Sequence, residues 1–225
     1  MDSMFLTLMK LPLFHGVSYS KLSDILGKHK FHFLKYCDGE TIISAGDNCT
    51  HLSTIVSGSV RIETTNQDNN FVVSQTLDAP ESISPEFLFG KTTKYPATVK
   101  AVGSCGIMRL EKKDYIEILN SDPIFLFNFL NMLSMNAQLP TDGVLALSSG
   151  ELSKRIAFWV IALTDRNGKN IKLECKQGEL CKAFGVSRQI LSDTLDNMKA
   201  KEILDYTKTS IEIFDRRRIY DTLES

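Results

Sequence analysis

The sequence predicts an α+β fold: an N-terminal antiparallel β jelly-roll barrel, a long dimerisation helix and a C-terminal winged helix. Three observations predict it. Between Phe31 and Leu110, short apolar runs alternate with turn-forming residues at the spacing of an all-β sandwich or barrel. From Lys112 the apolar period becomes helical, and Phe125, Phe129, Met132, Leu133 and Asn136 fall on one stripe. Residues 180–188, Leu-Cys-Lys-Ala-Phe-Gly-Val-Ser-Arg, have the make-up of two helices joined by a tight turn. The expected divisions are residues 1–118 for the barrel, 119–147 for the long helix and hinge, and 148–225 for the winged helix.

The first 30 residues read as short helices, with Ser18 capping one whose face is Leu22, Ile25 and Leu26. Strands are expected at Phe31–Leu34, Thr41–Ile43, Leu52–Val56, Ser59–Ile62, Phe71–Leu77, Ala97–Val102 and Gly106–Leu110. Turns are expected at Asp38-Gly39, Ala45-Gly46-Asp47, Ser57-Gly58 and Asp68-Asn69-Asn70. A short helix over Lys112–Leu119 follows, and Asp122-Pro123 opens the long one, with proline at a first helical position. Its stripe has two readings: packing on its own barrel, or a parallel dimer seam in which Asn136 sets register. Pro140 and Gly143 predict a kink or an end. Ser148-Ser149-Gly150-Glu151 opens the last segment, where Leu152, Ile156, Trp159, Val160 and Leu163 form a helical face. Ile171–Leu173 reads as a strand, Gln177–Phe184 and Ser187–Lys199 as helices, and Leu204–Tyr206 with Ser210–Phe214 as a terminal hairpin.

In the helix–turn–helix, Cys181 is small enough to let the second helix approach, and Gly185 permits the left-handed turn. Val186 plugs the angle between the helices. Ser187 caps the second helix and leaves its N–H groups facing outward, where a phosphate can bind. Ile190, Leu191, Leu195 and Met198 are expected to bury one face. Arg188, Gln189, Ser192 and Asp193 then lie on the other, where a recognition helix presents side chains to the major groove of DNA. Residues 187–202 balance Arg188, Lys199 and Lys201 against Asp193, Asp196 and Glu202. Phosphate affinity must therefore come from Lys154, Lys176, Lys182, Lys208 near the hairpin tip, and Arg216–Arg218. The competing reading is an αα-hairpin that packs or binds protein, with the DNA-binding surface degenerate.

Composition narrows the alternatives. Of 225 residues, 43% are apolar and 24% charged, which excludes a disordered chain. Twenty-six basic residues face 27 acidic ones, which excludes a polybasic tail. The balance is uneven: 12 basic against 15 acidic in residues 1–150, and 14 against 12 in residues 151–225. The longest apolar run, Ala157–Leu163, is too short to cross a bilayer, and Met1-Asp2-Ser3 lacks the basic start of a signal peptide, so no membrane partner and a cytoplasmic location are expected. Cys37, Cys49, Cys105, Cys175 and Cys181 are too scattered for a disulfide framework or thiolate zinc site, and no metal ligands are assigned. No triad, paired-carboxylate or phosphate-loop pattern occurs, so no catalytic residues and no enzyme are expected.

The whole order resembles the Crp/Fnr superfamily of bacterial transcription regulators. Residues 13–18 (LFHGVS), 38–42 (DGETI), 45–47 (AGD) and 55–61 (IVSGSVR) carry the resemblance, with Leu180–Gly185 and Val186-Ser187-Arg188. It covers nearly the whole chain and implies a homodimer reading a palindromic double-stranded operator, with RNA polymerase as a further partner and the barrel as sensor. The family's recognition pattern is Ser-Arg-Glu-x-x-x-Arg. Here Gln189 replaces the Glu and Asp193 the Arg, so the half-site should differ from the best-known one. Asp193 would accept from cytosine or orient Arg188. The resemblance also implies an effector pocket around Glu86, Lys91, Lys94, Tyr95 and Thr98. Pro85 stands for a glycine, and Tyr95-Pro96 for the Arg-Ser that holds a cyclic phosphate, so cyclic AMP is disfavoured. A haem-based gas or redox sensor is the other reading, with His15, His29, His32, His51, Cys37 and Cys49 as axial candidates.

Overall fold

Short apolar runs after residue 30 build the strands of the N-terminal half, and buried positions 97, 99 and 101 alternate with half-buried ones. The computed structural model describes residues 3–68, 70–147 and 150–224. Met1, Asp2, the Asn69 of the expected turn and the Ser148-Ser149 opening lie outside the described residues. The chain divides into two units: residues 1–61 with 77–136, and residues 62–76 with 137–225.

The first unit begins with α1 (Ser3–Leu8) and α2 (Tyr19–Lys28). Ser18 caps α2, its hydroxyl accepting from Lys21 N at 3.4 Å, and Leu22 and Ile25 are buried. Then come β1 (Phe31–Tyr36), β2 (Thr41–Ile43), β3 (His51–Thr65), β4 (Val72–Asp78), β5 (Glu81–Ile83) and β6 (Thr98–Glu111), with residues 62–65 of β3 and 72–76 of β4 belonging to the second unit. Strand β6 pairs antiparallel with β1, Phe31 opposite Leu110, and with β2, while β5 pairs with β3. Two corrections to the predicted strands follow. Ser57-Gly58 is no turn; β3 runs through it. Likewise β6 joins the runs 97–102 and 106–110. Gly58 explains the first: at φ +74° it bends the strand without ending it, and a Cβ there would sit 2.9 Å from Cys105 Cα.

After β6, α3 (Lys112–Ser121) and α4 (Pro123–Ala137) close this unit. Asp122 Oδ1 accepts from Ile124 N at 2.9 Å, and the carboxylate also pairs with Lys21, so α4 starts anchored to α2. Phe125 and Phe129 are buried and pack inward, Phe125 edge-on to Phe14 with centroids 6.2 Å apart. Phe125 and Phe129 of the stripe thus pack on their own unit, while Met132, Leu133 and Asn136 are half-buried.

The second unit holds α5 (Leu139–Ala146), α6 (Leu152–Leu163), β7 (Lys169–Glu174), α7 (Gln177–Phe184), α8 (Arg188–Ala200), β8 (Asp205–Tyr206), β9 (Ser210–Ile213) and α9 (Arg217–Glu224). The break expected near Pro140 falls at Gln138. Pro140 itself sits in the first turn of α5, where its missing donor costs nothing. Strand β7 pairs with β9, which pairs with β8, and the distal end of β4 adds to β7 with Val73 opposite Leu173. Leu173, Leu180, Leu191, Leu195 and Ile213 form the core with Ile156 and Val160 of α6. Helix α9, not read in the sequence, packs Ile219 into that core.

Candidate functional site

The helix–turn–helix forms as its residues require. Gly185 ends α7 in the left-handed conformation at φ +65°, and Val186 N donates to Cys181 O at 3.0 Å. Ser187 then caps α8, its hydroxyl accepting from Ile190 N at 3.3 Å. Leu191, Leu195 and Met198 are buried, which aims the opposite face of α8 at solvent. Arg188, Gln189 and Asp193 are exposed on that face and Ser192 is half-buried. Gln189 Nε2 donates to Asp193 Oδ1 at 2.8 Å, one turn apart. The described bond to Asp193 therefore comes from Gln189, not from Arg188.

Ile190 corrects the expected buried face: it is 52% exposed. Buried positions 191, 195 and 198 are spaced by four and three, and residue 190 lies one residue, about 100°, off that line. The helical period contained this signal.

Backbone bonds bring the two outlying lysines together. Gln177 N donates to Lys208 O at 3.2 Å and Cys175 N to Thr209 O at 2.9 Å, so the hairpin tip holds Lys208 beside Lys176 at the start of α7. Both lysines are exposed. The hairpin is fixed to α8 in turn: Tyr206 Oη donates to Asp196 at 2.7 Å, and Lys199 pairs with Asp205 at 2.7 Å. That pairing lowers the Asp205 carboxyl below its usual range.

Arg216–Arg218, expected to contact phosphate, each have a partner within the unit. Arg216 is buried and donates to Ile161 O at 2.9 Å. Arg217 forks onto Asp215, and Arg218 pairs with Glu202 at 3.0 Å. Lys182 pairs with Glu179 at 3.0 Å.

In the first unit, Ser84 takes a left-handed φ of 46° and Pro85–Phe87 form one tight turn. Phe87 N donates to Ser84 O and Leu88 N to Pro85 O, so the turn uses the N–H groups of Phe87 and Leu88. Glu86 is exposed and accepts from Asn136 Nδ2 of α4 at 2.9 Å. Phe89 packs edge-on to Phe129 of α4, centroids 5.5 Å apart, with Lys112 Nζ 4.7 Å from the Phe89 ring centroid.

Tyr95 lies elsewhere. It is buried, and its hydroxyl donates to His51 O at 3.4 Å in a cavity of about 140 Å³ shared with Ser53, His51, Asp47 and Arg109. Arg109 Nη2 donates to Ile42 O at 2.8 Å, while its buried Nε has no partner. Burial pushes the Tyr95 hydroxyl up. Burial, then Arg109, pushes His51 down, which keeps its imidazole neutral at pH 7. Thr98 Oγ1 accepts from Ala45 N at 3.2 Å, and Lys91 and Lys94 are exposed. The cavity is lined by Tyr95 and not by Glu86, Lys91, Lys94 or Thr98. Sequence reasoning missed Arg109 and Ser53, which no local motif marks.

Residues 33–122 match the cyclic nucleotide-binding domain, and residues 154–221 match the Crp-like helix-turn-helix domain. The chain belongs to the Crp family of transcription regulators. It is similar to the cAMP-activated global transcriptional regulator CRP of Haemophilus influenzae, 23% identical over 193 residues, 83% of this chain and 85% of that one. Its fold matches the catabolite activator protein of Thermus thermophilus at a TM-score of 0.52 and 22% identity, covering 94% of this chain and 97% of that one. It also matches the c-di-GMP responsive regulator CLP of Xanthomonas campestris at 0.52 and 17% identity, covering 87% and 99%. As a Crp-family regulator the protein pairs a sensor domain with a helix-turn-helix DNA-binding domain, and among the described residues no helix is long and apolar enough to cross a membrane.

A cavity of about 140 Å³ is below the roughly 300–1,000 Å³ of sites for drug-sized ligands. Of the axial candidates, His29 faces Asp114 and Glu117, and His51 Nδ1 is 2.8 Å from Thr50 Oγ1.

Proposed function

We propose that this Crp-family regulator works as a cytoplasmic homodimer on palindromic double-stranded DNA, binding without catalysis and acting on transcription through RNA polymerase. One observation carries the reading. The Ser187-capped helix α8 turns Arg188, Gln189, Ile190 and Asp193 to solvent while the hairpin sets Lys176 and Lys208 beside it. Arg188 donates its fork to guanine O6 and N7. Asp193 holds one N–H of Gln189, leaving the amide oxygen and the second N–H for adenine N6 and N7. Ile190 meets a thymine methyl, Ser192 follows one turn after Arg188, and Ser187 with the two lysines positions phosphates.

Pairing of two copies is supported by α4, whose outer face shows Leu126 at 45%, Phe127 at 64% and Leu130 at 50% exposure. An apolar strip of this kind is covered by a second helix. Phe125 and Phe129, and Asn136 through its bond to Glu86, face the sensor unit instead. Glu86–Asn136 and Phe89–Phe129 tie the 84–89 turn to the same helix. A ligand that favours one arrangement of that turn biases α4 and the spacing of the two recognition helices. Glu86, Lys91, Lys94, Tyr95 and Thr98 are the sensor residues of this reading, with an effector other than cyclic AMP. Precipitating the tagged protein from growing cells and sequencing the attached DNA tests it. Discrete promoter sites sharing one palindrome are expected; a flat profile, unchanged in R188A, contradicts it.

A further inference from the structure

Where α2 ends, His29 takes the C-cap, its N–H donating to Ile25 O at 3.0 Å, and its imidazole meets α3. Two carboxylates wait there. His29 Nδ1 lies 3.4 Å from Asp114 Oδ1 and 3.8 Å from Glu117 Oε2. The ligand atoms of the three residues all lie within 4.8 Å of one another. Asp114 and Glu117 are three apart on α3 and so share a face. The imidazole is 9% exposed, Asp114 22% and Glu117 55%, which gives a buried base, a half-buried acid and an open edge to solvent.

We propose that His29, Asp114 and Glu117 form a binding site for one divalent transition-metal ion of the Zn²⁺ or Mn²⁺ class. Ligands about 2.1 Å from an ion sit on the order of 3.0–3.4 Å apart, so modest closure of the two acids onto the imidazole completes the shell. Two neighbouring carboxylates repel each other, and a dication cancels both charges while a neutral imidazole donates its lone pair. One nitrogen and two oxygens suit zinc, manganese or ferrous iron, and not Ca²⁺, which takes six to eight oxygens. Solvent reaches the site past Glu117, so water fills the remaining positions. The ion would join the end of α2 to α3, the helix leading directly into α4. Its three residues belong neither to the 84–89 turn nor to the DNA-reading set, so the site stands whether or not those assignments do.

Calorimetric titration of the EDTA-treated full-length protein with ZnCl₂ and with MnCl₂ tests the site. One ion per chain is expected for at least one of the two metals, at least tenfold weaker in E117Q, lost in H29A, and unchanged in a C175S/C181S variant. Glu117 is exposed, so E117Q keeps the fold, as its circular dichroism checks. No saturable binding of either ion, a loss of less than tenfold in E117Q, or binding abolished by the cysteine substitutions overturns the proposal.

Discussion

Replacing Arg188 with alanine isolates base reading from folding. The side chain is exposed at the first position of α8, and no hydrogen bond or ion pair holds it among the described residues. Its removal leaves the Ser187 cap, the buried face and the hairpin contacts in place, so the melting temperature should stay within about 2 °C, as for surface changes worth about 0.5 kcal/mol or less. Binding behaves differently. A bidentate arginine–guanine pair discriminates by about 1–3 kcal/mol, and a dimer has two such helices, for a loss of about 2–6 kcal/mol. At about 1.4 kcal/mol per tenfold, that is on the order of 30-fold to 20,000-fold weaker binding. Fluorescence anisotropy on the selected operator and on a scrambled duplex, at several salt concentrations, separates the terms. The loss should fall on the operator, with the scrambled duplex affected far less and the salt slope nearly unchanged. Equal losses on both duplexes, or no loss on either, would refute base reading by Arg188.

Three further outcomes follow from the same geometry. Lys208→Ala removes a phosphate contact from each half-site, so log affinity should depend less steeply on log salt by about 1 per half-site, equally for all sequences; an unchanged slope places the hairpin tip off the DNA. F127D/L130D puts charges on the outer strip of α4 and should raise the dimer dissociation constant on the order of 100-fold or more, since a buried unpaired charge costs about 3–5 kcal/mol; sedimentation showing an intact dimer rejects that strip as the seam. Leu195→Ala empties a fully buried position beneath α8 and should cost about 2–5 kcal/mol in urea unfolding; a loss under about 1 kcal/mol contradicts the packing.

What the sequence revealed and what it hid have distinct physical causes. Ser18, Pro123, Gly185 and Ser187 act within a turn of where they stand, so caps and breaks could be read directly. Gly58 misled because a glycine at positive φ signals a turn in most settings, and here it bends a strand against Cys105. The Arg216–Arg218 run looked like a solvated basic cluster, yet its first member is buried against Ile161 O and the others are paired. Ile190 was assigned inward by hydropathy although its helical phase pointed out. Glu86 meets Asn136 across 50 residues, and the Tyr95 cavity draws Arg109 from β6. His29, Asp114 and Glu117 likewise converge only once α2 and α3 pack. No local spacing encodes such meetings.

Selection of binding sites from random double-stranded DNA by the full-length protein tests the central claim most directly. Dimeric reading by α8 predicts a palindrome with half-sites about 34 Å apart, centre to centre. It also predicts a half-site different from the family's best-known one, because Gln189 and Asp193 replace the usual Glu and Arg. No enriched sequence, or the best-known half-site returned unchanged, would contradict it.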